Sequence, residues 1–290
     1  MQAAHGRVPS LSTLLKLGRV SNLPTVATNV LTGTVLAGGA VGGWRTGLVL
    51  LAMALFYLGG MYLNDYCDRA IDARERPQRP IPAGDISAGM VGGAGLGMLG
   101  LGIALLAGTG FAAAVLGAGL ALAILGYDAF HKGNPAAPVV MGLCRAFIYG
   151  AAAVAVAGTI SLNVAVASLA LLAYVAGLTY AARQERFNRV DNLWPLALLA
   201  VPVLVACPWN VSVIAILIYS ALIACMAVAL YLLAARPMPD AVPRAVGLLI
   251  AGISLLDAAL LAAAGAPMPA LLAALAFPVT LLLHRCVPGT

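Results

Sequence analysis

Asn64, Asp65, Asp68 and Asp72 are spaced to act together. The chain holds only ten acidic residues, and three of them fall within this short stretch. On an α-helix with Asn64 at zero, Asp68 lies at about 40°, Asp72 at about 80° and Asp65 at about 100°. All four polar groups therefore share one face, at the end of an apolar run that begins near Thr46. Carboxylates gathered so closely repel one another unless a cation sits among them, and like charges at these spacings also oppose the helix itself. An oxygen-only ligand set suits a hard ion. Mg²⁺ fits best, because it takes a few carboxylates and completes its shell with substrate phosphates. The pattern predicts a metal–diphosphate site at a membrane surface.

The rest of the composition says what carries that site. Of 290 residues, 62% are hydrophobic and only 9% are charged, against about 25% charged in a soluble domain. The reading is an all-α polytopic membrane bundle, residues 1–290 forming one membrane domain. Cys67, Cys144, Cys207, Cys225 and Cys286 are scattered without a CxxC pair, which argues against a disulfide or zinc framework. His5, His131 and His284 form no local cluster. The first apolar run starts near Leu23 and continues as a span, so no cleaved leader is expected. The formal charge of +6 is distributed along membrane-flanking loops, so positive-inside topology accounts for it and nucleic acid is not an expected partner.

Ten apolar runs reach the roughly 17–25 residues that a crossing needs: 22–40, 46–66, 88–108, 110–127, 136–157, 162–182, 191–208, 211–234, 243–264 and 268–284. The expected count is nine or ten spans, the last run being a candidate partial one. Loops after the even-numbered runs, together with the tails, hold every Lys and Arg except Arg45 and Arg145, and every acid except Asp257. This predicts that the N-terminus, the Asn64–Asp72 face and the loops at 128–135 and 183–191 are cytoplasmic, converging on one mouth of a bacterial cytoplasmic-membrane protein. Residues 9–20 read as a short interfacial helix capped by Ser10, within an N-terminal segment 1–20 that precedes the bundle of 21–290. Gly93 and Gly97, in a run also holding Gly92, Gly95, Gly100 and Gly102, predict close packing of the third span.

The Asn64–Asp72 run has the form NDxxDxxxD and is followed by Arg76-Pro77-Gln78-Arg79-Pro80-Ile81-Pro82-Ala83-Gly84. This resembles the first aspartate-rich signature of the UbiA superfamily of intramembrane prenyltransferases. Tyr127, His131-Lys132, Asn134-Pro135 and Met141-Gly142-Leu143-Cys144-Arg145, with Thr179-Tyr180-Ala181-Ala182-Arg183-Gln184-Glu185, are similar to the EboC-type branch, which accompanies bacterial secondary-metabolite gene clusters. The resemblance implies a UbiA-like helical bundle and transfer of an isoprenyl group from a prenyl diphosphate to a small acceptor, with Mg²⁺ as cofactor. It implies Asn64, Asp65, Asp68 and Asp72 as metal ligands, with Asp68 and Asp72 central to catalysis. Asn64, Tyr127, Lys132, Arg145 and Arg183 would contact substrate. The family's second aspartate-rich motif, commonly DxxxD, is replaced here by a stretch in which only Glu185 and Asp191 are acidic. Glu185 is then the candidate second-metal ligand, and Asp191 a further candidate for that role or for acceptor activation. Arg183, Arg186 and Arg189 could take over charge that carboxylate-bound metal would otherwise carry, since arginine binds phosphate bidentately.

Such chemistry is an ionisation problem. The allylic C–O bond breaks as diphosphate gains charge, which cations stabilise, and an apolar cavity keeps the allylic cation from water. Plainer roles stand beside these. Arg69, Arg74 and Arg76 could simply balance a solvated helix end. Arg145, buried in the fifth span, could line the site or pair with a carbonyl or acid. Asp257 reads as a structural hydrogen-bonding group. Asn22 and Asn29 could line the pocket or bridge helices. Asp191 could cap the seventh span, and Lys132 and His131 could be ordinary loop residues. Another class also fits the altered second motif: a non-catalytic or transport protein that binds an isoprenoid or metabolite. A CDP-alcohol phosphotransferase does not, because Arg69 stands where its signature needs glycine.

Overall fold

A computed structural model describes residues 9–183, 194–209, 212–287 and 289. Among them the elements are α1 (Leu11–Leu17), a 3-10 turn (Val20–Asn22), α2 (Leu23–Leu36), α3 (Trp44–Glu75), α4 (Ala88–Ala107), α5 (Phe111–Phe130), α6 (Ala137–Ala157), α7 (Leu162–Arg183), a 3-10 segment (Trp194–Leu199) running into α8 (Ala200–Val205), α9 (Val213–Ala235), α10 (Ala241–Ala263) and α11 (Pro267–His284). Every expected apolar run contains a helical segment, but among the described residues eight helices are long and apolar enough to cross a membrane. The other two are α2 and the 194–205 segment. The 14 residues of α2 span ~21 Å, short of a ~30 Å hydrocarbon core. Gly38, with φ 79°, turns the chain away beyond its end.

The length of α3 is what lifts the polar face out of the bundle. Its 32 residues reach ~48 Å, well beyond a bilayer core, so the turns holding Asp68–Glu75 project past the apolar section. Gly43 precedes the helix in extended conformation, and Arg76 followed by Pro77 ends it. Packing against α4 is close: a Cβ on Gly95 would meet Leu63 at 2.7 Å, and one on Gly102 would meet the Phe56 ring at 2.9 Å. Gly93 and Gly97 do not make this contact, having open space where a side chain would go. The buried stripe of α4 runs through Val91, Gly92, Gly95, Leu99 and Gly102, a 3-and-4 spacing that a four-residue glycine repeat one position out of phase misses.

Two apolar cores result. One joins α2, α3, α4, α5 and α6 around Met53, Phe56, Leu106 and Leu120. The other surrounds α10, nearly every residue of which from Ala251 to Ala262 is buried. The helices α2 and α6 meet at Gly33, where any Cβ would fall 2.7 Å from the Tyr149 carbonyl oxygen. A third, small cluster of Leu17, Ile86 and Val91 pins the loop between α3 and α4 onto α1, next to the mouth of the first core.

Candidate active site

Three helices of the first core, α3, α5 and α6, each give one stripe of residues to a common cleft. On α3 the stripe runs Met53, Tyr57, Gly60, Asn64 and Asp68, and on α5 it runs Leu120, Ile124, Tyr127 and Asp128. On α6 it is Met141, Cys144, Arg145 and Ile148. Spacings of three and four residues keep each stripe on one face. The lower part is a half-open apolar cavity of about 90 Å³. At Gly60 the absent side chain leaves room beside Ile124, which a Cβ would approach to 3.2 Å. The upper part is the polar mouth, so one face of α3 is apolar below and carboxylate-rich above.

The mouth is densely paired. Arg79 Nη1 donates to Asp65 Oδ1 at 3.1 Å and to Asp72 Oδ2 at 2.9 Å, so one guanidinium bridges two carboxylates. Arg19 Nη2 lies 3.5 Å from Asp65. Lys132 Nζ pairs with Asp68 Oδ1 at 2.8 Å, with His131 Nε2 3.7 Å from the other oxygen. Asn64 Nδ2 donates to Asp128 Oδ1 at 3.2 Å, while the buried Asp128 Oδ2 has no hydrogen-bond partner among the described residues. Asn64, Asp65, Asp72 and Asp128 are all buried. Among the described residues, four carboxylates and three basic side chains gather at this mouth.

Local backbone explains how the cations arrive. Arg79 sits in the Pro-rich loop after α3, where Ala83 N–H bonds the Arg79 carbonyl at 2.9 Å and Asp85 N–H bonds the Pro80 carbonyl at 3.0 Å. Gly84, at φ 81°, closes this turn. Arg19 has φ 40°, a left-handed conformation that is costly for a side-chain-bearing residue and clusters at functional sites. Lys132 follows the end of α5, where His131 stacks on Tyr127 with ring centroids 4.9 Å apart. Arg183 Nη1 donates to the Asn134 carbonyl at 2.7 Å, fastening the end of α7 to the loop that carries Lys132.

The structure thus brings Asn64, Asp65, Asp68, Asp72, Tyr127 and Lys132 to one mouth and puts Arg183 at its edge. Arg145 lies deeper, on the cavity wall. Glu185 and Asp191 lie outside the described residues. Sequence reading missed Asp128, Arg19, Arg79 and Tyr57 as members of the site. An acid directly after Tyr127, at the end of an apolar run, was the available signal for Asp128. Nothing in the sequence distinguishes Arg79 from Arg69, Arg74 or Arg76 as the residue that covers the carboxylates. Arg69 instead lies over the Tyr66 ring, 4.4 Å from its centroid.

Among the described residues, no three His, Cys, Asp or Glu side chains already converge as a metal cage. The donor set nonetheless fits a hard cation: all-oxygen ligands, an excess of negative charge and an orphaned carboxylate oxygen on Asp128.

Comparison with known proteins agrees. Residues 26–240 match the UbiA prenyltransferase family. Among similar proteins are the digeranylgeranylglyceryl phosphate synthases of Halobacterium salinarum, 38% identical over 148 residues (49% of this chain and 52% of the relative), and of Methanothrix thermoacetophila, 43% identical over 76 residues (26% of this chain and 28% of the relative). The chain spans about half, or less, of the length of these curated relatives. A solved digeranylgeranylglyceryl phosphate synthase superimposes with TM-score 0.63 at 19% identity, covering 88% of this chain and 98% of the other. A UbiA homolog from Archaeoglobus fulgidus bound to GPP and Mg²⁺ gives 0.60 at 14% identity, covering 86% and 99%. At such identities these structures establish the fold.

Proposed function

The chain belongs to the UbiA prenyltransferase family, and we propose that it is a Mg²⁺-dependent intramembrane prenyltransferase moving an isoprenyl group from a prenyl diphosphate to a small acceptor. The observation that carries this is the single face of α3, on which the Asn64–Asp72 carboxylates continue directly into an apolar cavity. A prenyl diphosphate has the same polarity, an anionic head joined to a hydrocarbon tail.

Asn64, Asp65, Asp68, Asp72 and Asp128 would hold the metal. When bound, Mg²⁺ supplies positive charge to the departing diphosphate. Lys132, Arg79 and Arg19 supply the rest from side chains already at the mouth, and guanidinium forks suit phosphate oxygens. As the C1–O bond breaks, its electron pair leaves with the diphosphate. The walls formed by Met53, Gly60, Leu120, Ile124 and Ile148 exclude water from the carbon that becomes electron-poor, and the faces of Tyr57 and Tyr127 can stabilise positive charge there. Acceptor attack at C1 forms the new bond, and the acceptor's proton leaves to the departing diphosphate or to water at the mouth, which completes the transfer. The charge distribution along the loops supports a mouth opening to the cytoplasm.

The similarity to digeranylgeranylglyceryl phosphate synthases supports a membrane-lipid acceptor. The resemblance around His131–Arg145 to EboC-type proteins supports a secondary-metabolite acceptor instead. The altered second motif, with Glu185 and Asp191 its only acids, favours one further reading, a protein that binds an isoprenoid without transferring it.

The test is Mg²⁺-dependent binding of geranyl, farnesyl and geranylgeranyl diphosphates to detergent-purified protein, with diphosphate release followed in parallel. Stabilisation and release that need Mg²⁺ and disappear in Asp68→Ala are expected. Binding without release, across a broad panel of acceptors, would favour the non-catalytic reading. Identical behaviour of wild type and Asp68→Ala, with no donor bound, would end the prenyltransferase reading.

A further inference from the structure

Asn22 is a polar side chain buried where the chain turns from α1 into α2. Its amide uses both of its hydrogens. Nδ2 donates to the Tyr57 hydroxyl at 3.0 Å and to the Gly289 carbonyl at 3.1 Å. Its oxygen, Oδ1, lies 2.7 Å from His284 Nε2. The start of α2, the middle of α3 and the end of α11 thus meet on one side chain.

Gly289 fixes the direction of every bond in this cluster. A backbone carbonyl can only accept, so the nitrogen of the Asn22 amide faces Gly289 and its oxygen faces His284. His284 therefore carries a proton on Nε2 and donates it. The Tyr57 hydroxyl accepts from Asn22, which leaves its own proton for the Arg19 carbonyl at 3.2 Å. Donation runs from His284 to Asn22 to Tyr57 to Arg19, an order in which each bond polarises the next. The close approach needs glycine: a Cβ at position 289 would fall 2.6 Å from His284 Nε2 and 2.9 Å from Asn22 Oδ1.

The far end of this relay lies in the candidate site. Tyr57 and Met61 line the apolar cavity. Arg19 holds a left-handed backbone at φ 40°, which persists only where the surroundings enforce it, and the bond to its carbonyl is one such tie. Its guanidinium reaches Met61 Sδ and Asp65 Oδ1, each at 3.5 Å. Resting on the reading of this cavity as the prenyl-transfer chamber, we infer that His284, Asn22 and Gly289 form a positioning unit that holds the Tyr57 ring and Arg19 in their working places. Without the His284 Nε2–H, the Asn22 oxygen is left buried and unpaired. The amide then turns toward another donor, and Tyr57 loses the bond that sets its ring against the carbon releasing diphosphate.

The test uses full-length protein in detergent and has two parts. The first needs no donor. In protein carrying ¹⁵N-labelled histidine, the His284 signals, identified by their loss in His284→Gln, should show the proton on Nε2 and should move in Tyr57→Phe. The second part follows Mg²⁺-dependent diphosphate release from geranyl diphosphate, with phenolic and alcohol acceptors supplied, and binding of unreactive geranyl S-thiolodiphosphate. His284→Ala should lower kcat by about tenfold, the scale of one hydrogen bond, with affinity for the thiolodiphosphate within about threefold. His284→Gln, whose amide donates from near the place of Nε2, should recover most of the rate. Arg285→Ala, at the exposed neighbouring position, should leave it unchanged. Adding His284→Ala to Tyr57→Phe should slow the reaction no further, because both break one relay. A proton on Nδ1 alone, additive losses in the double variant, or a rate in His284→Gln as low as in His284→Ala overturns the assignment. The labelled wild type and His284→Gln decide it should His284→Ala not fold. A His284 signal that responds to Tyr57→Phe, in a protein that neither binds the thiolodiphosphate nor releases diphosphate, would keep the hydrogen-bonded unit and remove the prenyl-transfer reading.

Discussion

Two gatherings of acids and basic side chains among the described residues, one at the mouth and one in the interior, are built differently. At the mouth, Asp65, Asp68 and Asp72 touch Arg79, Arg19 and Lys132 directly, and those cations are partly exposed. In the interior, Asp257 and Arg145 do not touch; Asn29 stands between them, and Tyr149 takes the remaining carboxylate oxygen. The Lys132–Asp68 pair joins two partly exposed groups, is weak at about 0–1 kcal/mol, and so can be exchanged for metal and diphosphate. A buried network spread over three helices has no water to fall back on, and breaking it leaves unsatisfied polar groups. The mouth is arranged to trade partners, and the interior is arranged to keep them.

The sharpest way to break this contrast is to remove one carboxylate from each place. Asp257→Leu should destabilise the folded protein by about 3 kcal/mol, because Asn29 Nδ2 and the Tyr149 hydroxyl lose their acceptor in a dry interior. Asp257→Asn keeps the shape and should cost less. Asp68→Ala should leave thermal stability within about 1 kcal/mol of wild type while abolishing donor binding. Melting curves in detergent report both. Equal destabilisation by the two substitutions would show that the mouth pairs are structural after all.

Arg79 gives the next largest effect, and it divides into two opposed readouts. It spans Asp65 and Asp72 with one nitrogen, so it competes with a metal for those oxygens and also adds positive charge for a diphosphate. Arg79→Ala should strengthen donor-free Mg²⁺ binding by about tenfold, since two adjacent carboxylates lose their counter-ion. The same change should lower turnover by about a hundredfold, the scale of one lost charge-stabilising group. Calorimetric Mg²⁺ titration and a diphosphate-release assay check the two halves. Weaker Mg²⁺ binding would mean that Arg79 organises the carboxylates and does not shield them.

How much of this the sequence discloses depends on the physical signal behind each feature. Apolar length discloses every membrane-crossing helix, and helical phase puts Asn64, Asp65, Asp68 and Asp72 on one face, because both depend only on local periodicity. Phase fails for α4, where glycine is so frequent that several repeats fit and only the neighbour's shape selects Gly92, Gly95 and Gly102. The number of full crossings is blurred because α2 and the 194–205 segment are apolar enough but too short. Long-range pairing is not legible at all. Asn29 and Asp257 are separated by 228 positions, and no local pattern tells an interior acid with partners from one without. The same limit hides Arg79 among the four arginines between positions 69 and 79 and Asp128 behind Tyr127.

The smallest effect concerns Arg183, the member of the mouth whose observed partner is the backbone. It holds the Asn134 carbonyl at 2.7 Å, two residues beyond Lys132, and so fixes the loop that brings Lys132 to Asp68. A hydrogen bond from a charged group to a buried or half-buried carbonyl contributes about 1.5 kcal/mol, or roughly a tenfold change in affinity. Arg183→Gln should therefore raise KM for the prenyl diphosphate by about tenfold with kcat nearly unchanged, because the loop still visits its working position. Lys132→Gln removes the charge itself and should lower kcat as well. If Arg183→Gln lowers kcat as strongly as Lys132→Gln, then Arg183 leaves the carbonyl to bind diphosphate, and the mouth extends one helix further, onto α7.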